Sequence, residues 1–337
     1  MKQATITGVQ QTQVKEFPDP QADERRVLLK VTVAPLCTDY KSFQAGDLRE
    51  TLGHEAAGEV LEAGGSTLVQ PGQRVVVMPQ IPCGDCDYCD TGDFIYCLSD
   101  AGATLRNGSG TVAQYMLKQD WQLVPVPDDI SIEHASMACC GLGPTYGGLD
   151  KMGLDPGETL LITGMGPVGL GGVINAVYRG ARVIAVEMNP YRASLSRELG
   201  ADVVLEPDGA LEQILDLTDG VGVDKAMDCS GVVAAHRLCI DAVRRLGSVS
   251  FVGECSDDTP LRISPDMIRK GLQLIGSWHF NMADTPRMMK MIGEIGGQLD
   301  KLITHRFSID DIQSAWETQL SGQCGKVILQ PWEGSDV

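Results

Sequence analysis

The chain has 337 residues, 43% of them apolar, enough for two domains with full cores and too many for a disordered chain. Its 27 basic and 45 acidic residues give a net charge of −18, and no basic stripe interrupts the acid excess, which excludes a nucleic-acid partner. MKQATITGVQ at the start lacks the basic and apolar regions of a signal peptide, and there is no apolar run of about 18 residues, so a cytoplasmic protein without a membrane partner is expected.

The first half reads as short strands between loops. VLLKVTVAP (27–35), AAGEVLEAG (56–64) and QRVVVMPQI (73–81) are β-branched or apolar runs, with Pro71-Gly72 marking a turn before the third. From about residue 144 the pattern changes. ETLLITG (158–164) precedes a helix-spaced stretch (167–181), RVIAVE (182–187) precedes a second, and DVVL a third that ends near Asp219. KAMDCS, SVSFVGE and LQLIGSW read as further buried strands. Strand and helix alternating in this way give βαβ units and a parallel sheet. The last stretch, about 281–337, returns to amphipathic helices (PRMMKMIGEIGG, DDIQSAWETQL) and a final strand, GKVILQP.

Residues 83–97 read CGDCDYCDTGDFIYC, four of the chain's eleven cysteines at C-x2-C-x2-C-x7-C. In a reducing compartment this favours a metal over disulfides. Four thiolates of Cys83, Cys86, Cys89 and Cys97 close a tetrahedral zinc shell with no open position, so the ion is structural. An iron–sulfur cluster and a set of reduced surface cysteines are the alternatives. Gly84 and Gly92 relieve the tight turns.

TGMGPVG (163–169) contains G-x-G-x-x-G after an apolar strand and at the start of an apolar helix, the context of a dinucleotide turn. Gly164 permits the turn, Gly166 lets the backbone approach a pyrophosphate, and Gly169 lets helix and strand pack. Glu187 ends the next strand, 18 residues after Gly169; a carboxylate there accepts from a ribose diol and repels a 2′-phosphate, which favours NAD over NADP. A solvated strand-end acid is the plainer alternative, and Arg192 pulls slightly against NAD.

GHEAAGEV (53–60), Cys37 in APLCTDYKSFQAG and Cys139-Cys140 in ASMACCGLGPTYGG complete the pattern. With the four-cysteine lobe, MGPVG, VDKAMDCSG, LITHRF and GKVIL, the chain resembles the zinc-dependent alcohol and polyol dehydrogenases of the medium-chain dehydrogenase/reductase superfamily, sorbitol- and threonine-type members included, over nearly its whole length. The resemblance implies an α/β protein: a GroES-like β-rich catalytic domain (1–143 and 281–337) and a Rossmann domain with a doubly wound parallel sheet (144–280), active site between them. It implies a catalytic zinc on Cys37, His54 and Cys140, with Glu55 behind the ion as a transient ligand, and therefore two Zn2+ per chain together with NAD. Thr38 takes the substrate proton and Lys41 occupies the place of a proton relay, a solvated lysine being the alternative. Further cofactor contacts fall on Pro167, Val168, Cys229, Ser230, Val252, Gly253, Ser277 and His279, the last with a structural alternative. One departure stands out. The family reads Cys-x-Ser/Thr-Asp, whereas Cys37 is followed directly by Thr38-Asp39, and holding those two in register puts Leu36 in the ligand place.

The expected activity is NAD-linked oxidation of a secondary hydroxyl on a polyol, sugar or cyclitol by a homodimer or homotetramer. A simple alcohol dehydrogenase or aldehyde reductase and a threonine-type enzyme are the alternatives. A rival of another class is an NAD-binding redox sensor without catalytic zinc. His134, His236 and His305 are expected to be structural, and Cys229, Cys239, Cys255 and Cys324 to be small buried residues.

Overall fold

In a computed structural model, residues 1–79, 82–97 and 110–333 are described; the last two residues of the 73–81 run lie outside them. The chain divides into two compact units, Met1–Cys140 with Asn281–Val337, and Gly141–Phe280. The first boundary falls slightly earlier than the 143/144 boundary expected from the sequence.

The first unit is built from β1 (Lys2–Gly8), β2 (Gln11–Glu16), β3 (Val27–Pro35), β4 (Ala56–Glu62), β5 (Arg74–Val77), β6 (Tyr115–Lys118) and β7 (Leu123–Pro125). β1 and β2 form an antiparallel hairpin that the sequence reading did not single out. β3 is the hub: seven of its nine residues are buried, and it pairs antiparallel with both β4 and β6. The β3–β4 contact is close, and a Cβ on Gly58 would stand 2.0 Å from the Lys30 carbonyl oxygen.

The second unit carries β8 (Thr159–Thr163), β9 (Arg182–Val186), β10 (Val203–Leu205), β11 (Val223–Asp228), β12 (Val243–Phe251) and β13 (Gln273–Gly276), all pairings parallel. Their order is β10-β9-β8-β11-β12-β13, the doubly wound order of the Rossmann fold. Leu161, Ile184, Ala226 and Val249, all fully buried, form its core with residues of the flanking helices, which is why β8 and β9 read as nearly continuous apolar runs.

The chain then returns to the first unit with the helix Thr285–Glu294, β14 (Ile303–Ser308), the helix Ile312–Ser321 and β15 (Lys326–Gln330). LITHRF is therefore largely strand. β14 pairs parallel with β15, and β15 runs antiparallel to β3, with Ile328 opposite Pro35 and Leu329 opposite Ala34. Trp316, fully buried and stacked on Phe43 at 6.1 Å, joins the helix Ile312–Ser321 to this core. No helix among the described residues is long and apolar enough to cross a membrane.

Candidate metal centres and dinucleotide site

Sheet pairing in the first unit brings three remote segments together. Cys37 follows the end of β3. His54 and Glu55 precede β4, whose Ala57 lies opposite Val33. Lys326 opens β15, whose Ile328 lies opposite Pro35. Cys140 arrives from the helix Ile132–Ser136, which is capped by the Ser131 hydroxyl accepting from the His134 N–H. One ligand atom each of Cys37, His54, Glu55 and Cys140 lies within 4.8 Å of the others. Cys140 Sγ is 3.4 Å from His54 Nε2; two tetrahedral zinc bonds of ordinary length to sulfur and nitrogen put those atoms about 3.6 Å apart.

It is Cys37, not Leu36, that reaches the cluster. The Leu36 side chain is buried in the apolar core, and its N–H donates to Val327 O. Gln319 holds the other side of the bend, its amide donating to Cys37 O at 2.9 Å. The neighbouring Cys139 points elsewhere: its thiol donates to Val77 O, and burial pushes its pKa well up. Thr38 is exposed, and so is Lys41 on the helix Tyr40–Ala45.

Two residues that the sequence reading missed complete the surroundings. Asp39 lies 3.1 Å from His54 Nδ1, on the side of the ring away from Cys140, and also accepts from Gly53 N. This is the usual outer partner of a metal-binding histidine, fixing tautomer and ring orientation. Burial works against a charged His54, but Asp39 and Cys37 outweigh it and hold the pKa well up. Lys326 is 1% exposed and pairs at 2.7 Å with Glu55, itself fully buried, while the other Glu55 oxygen accepts from Cys140 N at 3.1 Å. Burial pushes Glu55 up to about 7 even against the lysine's pull. Of the two thiols, Cys37 is the more acidic because it takes a hydrogen bond from Cys140; the same bond and burial push Cys140 up. One short signal existed for each residue: an acid next to Thr38, and a lysine opening an apolar strand.

The four-cysteine lobe forms a second cluster. Sulfur separations are 3.6 Å (Cys86–Cys89), 3.8 Å (Cys86–Cys97) and 3.9 Å (Cys83–Cys89). A zinc tetrahedron with bonds of about 2.3 Å has edges of about 3.8 Å, whereas a disulfide holds its sulfurs about 2.05 Å apart. The donor set fits a closed tetrahedral ion. Gly84 and Gly92 both take the left-handed conformation, with φ of +87° and +82°.

In the second unit the expected cofactor residues gather at the carboxyl ends of β8, β9, β11, β12 and β13. Gly164 has φ +82°, and open space stands where a Cβ of Gly166 would be. Pro167 opens the helix Pro167–Tyr178, and Val168 follows it. Glu187 accepts from Met165 N at 2.7 Å and from Asn189 N at 2.8 Å, which fixes its carboxylate beside the glycine turn. The Nε of Arg192 and the Oγ of Ser277 are buried without a hydrogen-bond partner among the described residues. Ser230 backs Gly164, Cys229 N donates to Thr163 O, and Val252 N and Gly253 N both donate to Asp228 O. His279 is buried and stacks on Phe280. Cys239 and Cys324 are fully buried as expected, but Cys229 and Cys255 are only half-buried, a correction that follows from their place in loops after β11 and β12.

A Cβ on Gly169 would fall 1.9 Å from the Gly164 carbonyl oxygen. Gly169→Ala is therefore expected to force turn and helix apart, lowering stability by about 1–3 kcal/mol and weakening dinucleotide binding, both measurable by thermal melts with and without NADH.

Residues 23–128 match the alcohol dehydrogenase GroES-like domain, and residues 167–294 match the zinc-binding dehydrogenase domain. The chain belongs to the zinc-dependent alcohol dehydrogenase family of the medium-chain dehydrogenase/reductase superfamily. It is 31% identical over 339 residues to the L-threonine 3-dehydrogenase of Francisella tularensis, covering 94% of this chain and 95% of that one. It is 29% identical to the D-arabitol-phosphate dehydrogenase of Enterococcus avium, at 96% and 95% coverage. The solved alcohol dehydrogenase TADH from Thermus sp. ATN1 shares the fold, with a TM-score of 0.90 at 24% identity over 98% of this chain and 99% of that one.

Proposed function

We propose that the protein oxidises a secondary hydroxyl of a polyol, sugar or cyclitol, with hydride passing to NAD. The observation that carries this reading is the convergence of two thiols, an imidazole and a carboxylate within 4.8 Å in a chain that also carries a Rossmann turn followed by Glu187. The names of two relatives support the substrate class: one specifies a sugar-alcohol phosphate, the other position 3 of threonine, which bears a secondary hydroxyl.

Cys37, His54 and Cys140 would hold zinc, leaving one position open. When bound, zinc supplies Lewis acidity to a hydroxyl oxygen and NAD supplies the hydride acceptor. The chain's own residues do the rest. Asp39 orients the imidazole. Thr38, exposed beside Cys37, takes the hydroxyl proton as it gives up its own, and Lys41 on the same exposed stretch, in its neutral amine form, would carry that proton to water. Glu187 accepts from the ribose diol. Cys83, Cys86, Cys89 and Cys97 would hold the second, structural zinc.

The test is a panel of polyols, short primary alcohols and threonine with NAD and NADP, followed by NADH absorbance. Polyol-dependent NADH formation is expected; activity confined to primary alcohols overturns the substrate class. Glu187→Gln is expected to raise KM for NAD about ten- to hundredfold, the worth of a hydrogen bond to a charged group, while KM for NADP moves far less. Equal effects on both cofactors would remove Glu187 from ribose recognition.

A further inference from the structure

A wholly buried lysine needs a reason. Lys326 is 1% exposed and its partner Glu55 fully buried, 271 residues away in sequence. Buried ion pairs are poor sources of stability, since apolar residues of the same volume often do as well. The pair also sits against the metal-ligating cluster, not in a remote core. Glu55 offers a carboxylate oxygen within 4.8 Å of the two thiols and the imidazole, within reach of any ion they hold. Left free, that carboxylate is a fourth zinc ligand, and four protein ligands make a closed, structural site.

Both oxygens of Glu55 are instead engaged by the protein: one by the ammonium at 2.7 Å, the other by Cys140 N at 3.1 Å. The sheet fixes the lysine's place. Lys326 opens β15, the next residue's carbonyl accepts from Leu36 N at 2.9 Å, and Ile328 faces Pro35, so the strand bearing the lysine is locked to the strand leading into Cys37. Charge agrees with geometry. The two thiolates and the Glu55 carboxylate carry three negative charges, with Asp39 behind His54 a fourth; a divalent ion and the ammonium carry three positive ones, so losing the lysine would leave the cluster one charge more anionic.

We propose that Lys326 is a positioning residue that holds Glu55 out of the metal's inner shell and so keeps the fourth position open for the substrate oxygen. This rests on the reading that Cys37, His54 and Cys140 hold a metal.

The test compares the unmodified protein with Lys326→Met, Lys326→Arg and the double variant Lys326→Met, Glu55→Gln, each zinc-loaded and, separately, cobalt-substituted. Lys326→Met is expected to release the zinc of the Cys37 cluster to a chelator about ten- to hundredfold more slowly, the usual span for changes in a ligand's outer partners, with kcat lowered by a similar factor. Its cobalt spectrum should no longer respond to added imidazole. The sign is diagnostic, because a merely loosened structure releases zinc faster. Lys326→Arg should restore the native behaviour, and the double variant should regain both the release rate and the imidazole response. A native release rate in Lys326→Met, or a double variant as slow as the single one, overturns the proposal. Lys326→Gln removes the same charge and takes the place of the methionine variant should that fail to fold. Zinc content of the unmodified protein separates the two levels of argument: one zinc per chain, held by the lobe, sinks the metal reading and the proposal together, whereas two zincs with unaltered release in the variant sink the proposal alone.

Discussion

Cys37→Ser should lower kcat/KM for alcohol oxidation by about a thousandfold or more while leaving the fold intact. Lewis-acid stabilisation of a developing alkoxide is worth several kcal/mol, and each 1.36 kcal/mol is a factor of ten. Serine offers a weak neutral oxygen in place of a thiolate, and it does so at the thiol of the pair that ionises first. The fold should survive because Cys37 lies outside the apolar core that buries its neighbour. Leu36→Ala is the paired control. It should lower stability by about 2–5 kcal/mol, as truncation of a buried leucine does, while keeping the metal. If instead Leu36→Ala lost the metal and Cys37→Ser kept full activity, the local register around Thr38-Asp39 would be wrong.

Cys89→Ser should lose one zinc per chain and expose the 83–97 segment to proteases. Among the described residues, this segment holds only two short helices, Asp87–Asp90 and Phe94–Tyr96, and no strand. Cys89 is its one buried residue, so it has no apolar core of its own. In such loops the metal supplies folding energy directly, about 10 kcal/mol or more in isolated zinc-binding peptides. Neighbouring contacts reduce the loss here: the Gly92 carbonyl accepts from Met282 N, and Gly84 lies against the Trp121 ring. Limited proteolysis with elemental analysis checks this. Native protease resistance with unchanged zinc content would mean that the cysteines hold no metal.

The sequence showed some parts of this protein far better than others, for physical reasons. β8 and β9 were legible because strands covered on both faces read as apolar runs. The dinucleotide turn was legible because its glycines answer local needs, a left-handed φ at Gly164 and a close approach at Gly169. The hairpin β1–β2 was not: QTQVKE is polar and largely exposed, and nothing in it marks a strand. LITHRF is mixed, its Thr304-His305-Arg306 breaking any apolar run or clean alternation. At the metal cluster, cysteines and GHE announced themselves, but Lys326 and Gln319 did not. Their roles exist only because β15 pairs with β3 and the helix Ile312–Ser321 packs beside them, contacts made across most of the chain's length. Asp39 was hidden differently: it sat in the offset that made Cys37 look misplaced, and only the bend after Pro35 shows it behind His54.

Elemental analysis of zinc in the purified, unmodified protein tests the central claim most directly. Two zinc ions per chain are expected, one for the cysteine lobe and one for Cys37, His54 and Cys140. A single zinc per chain would contradict the account, since only the lobe would be loaded and the proposed oxidation would have no metal at its centre.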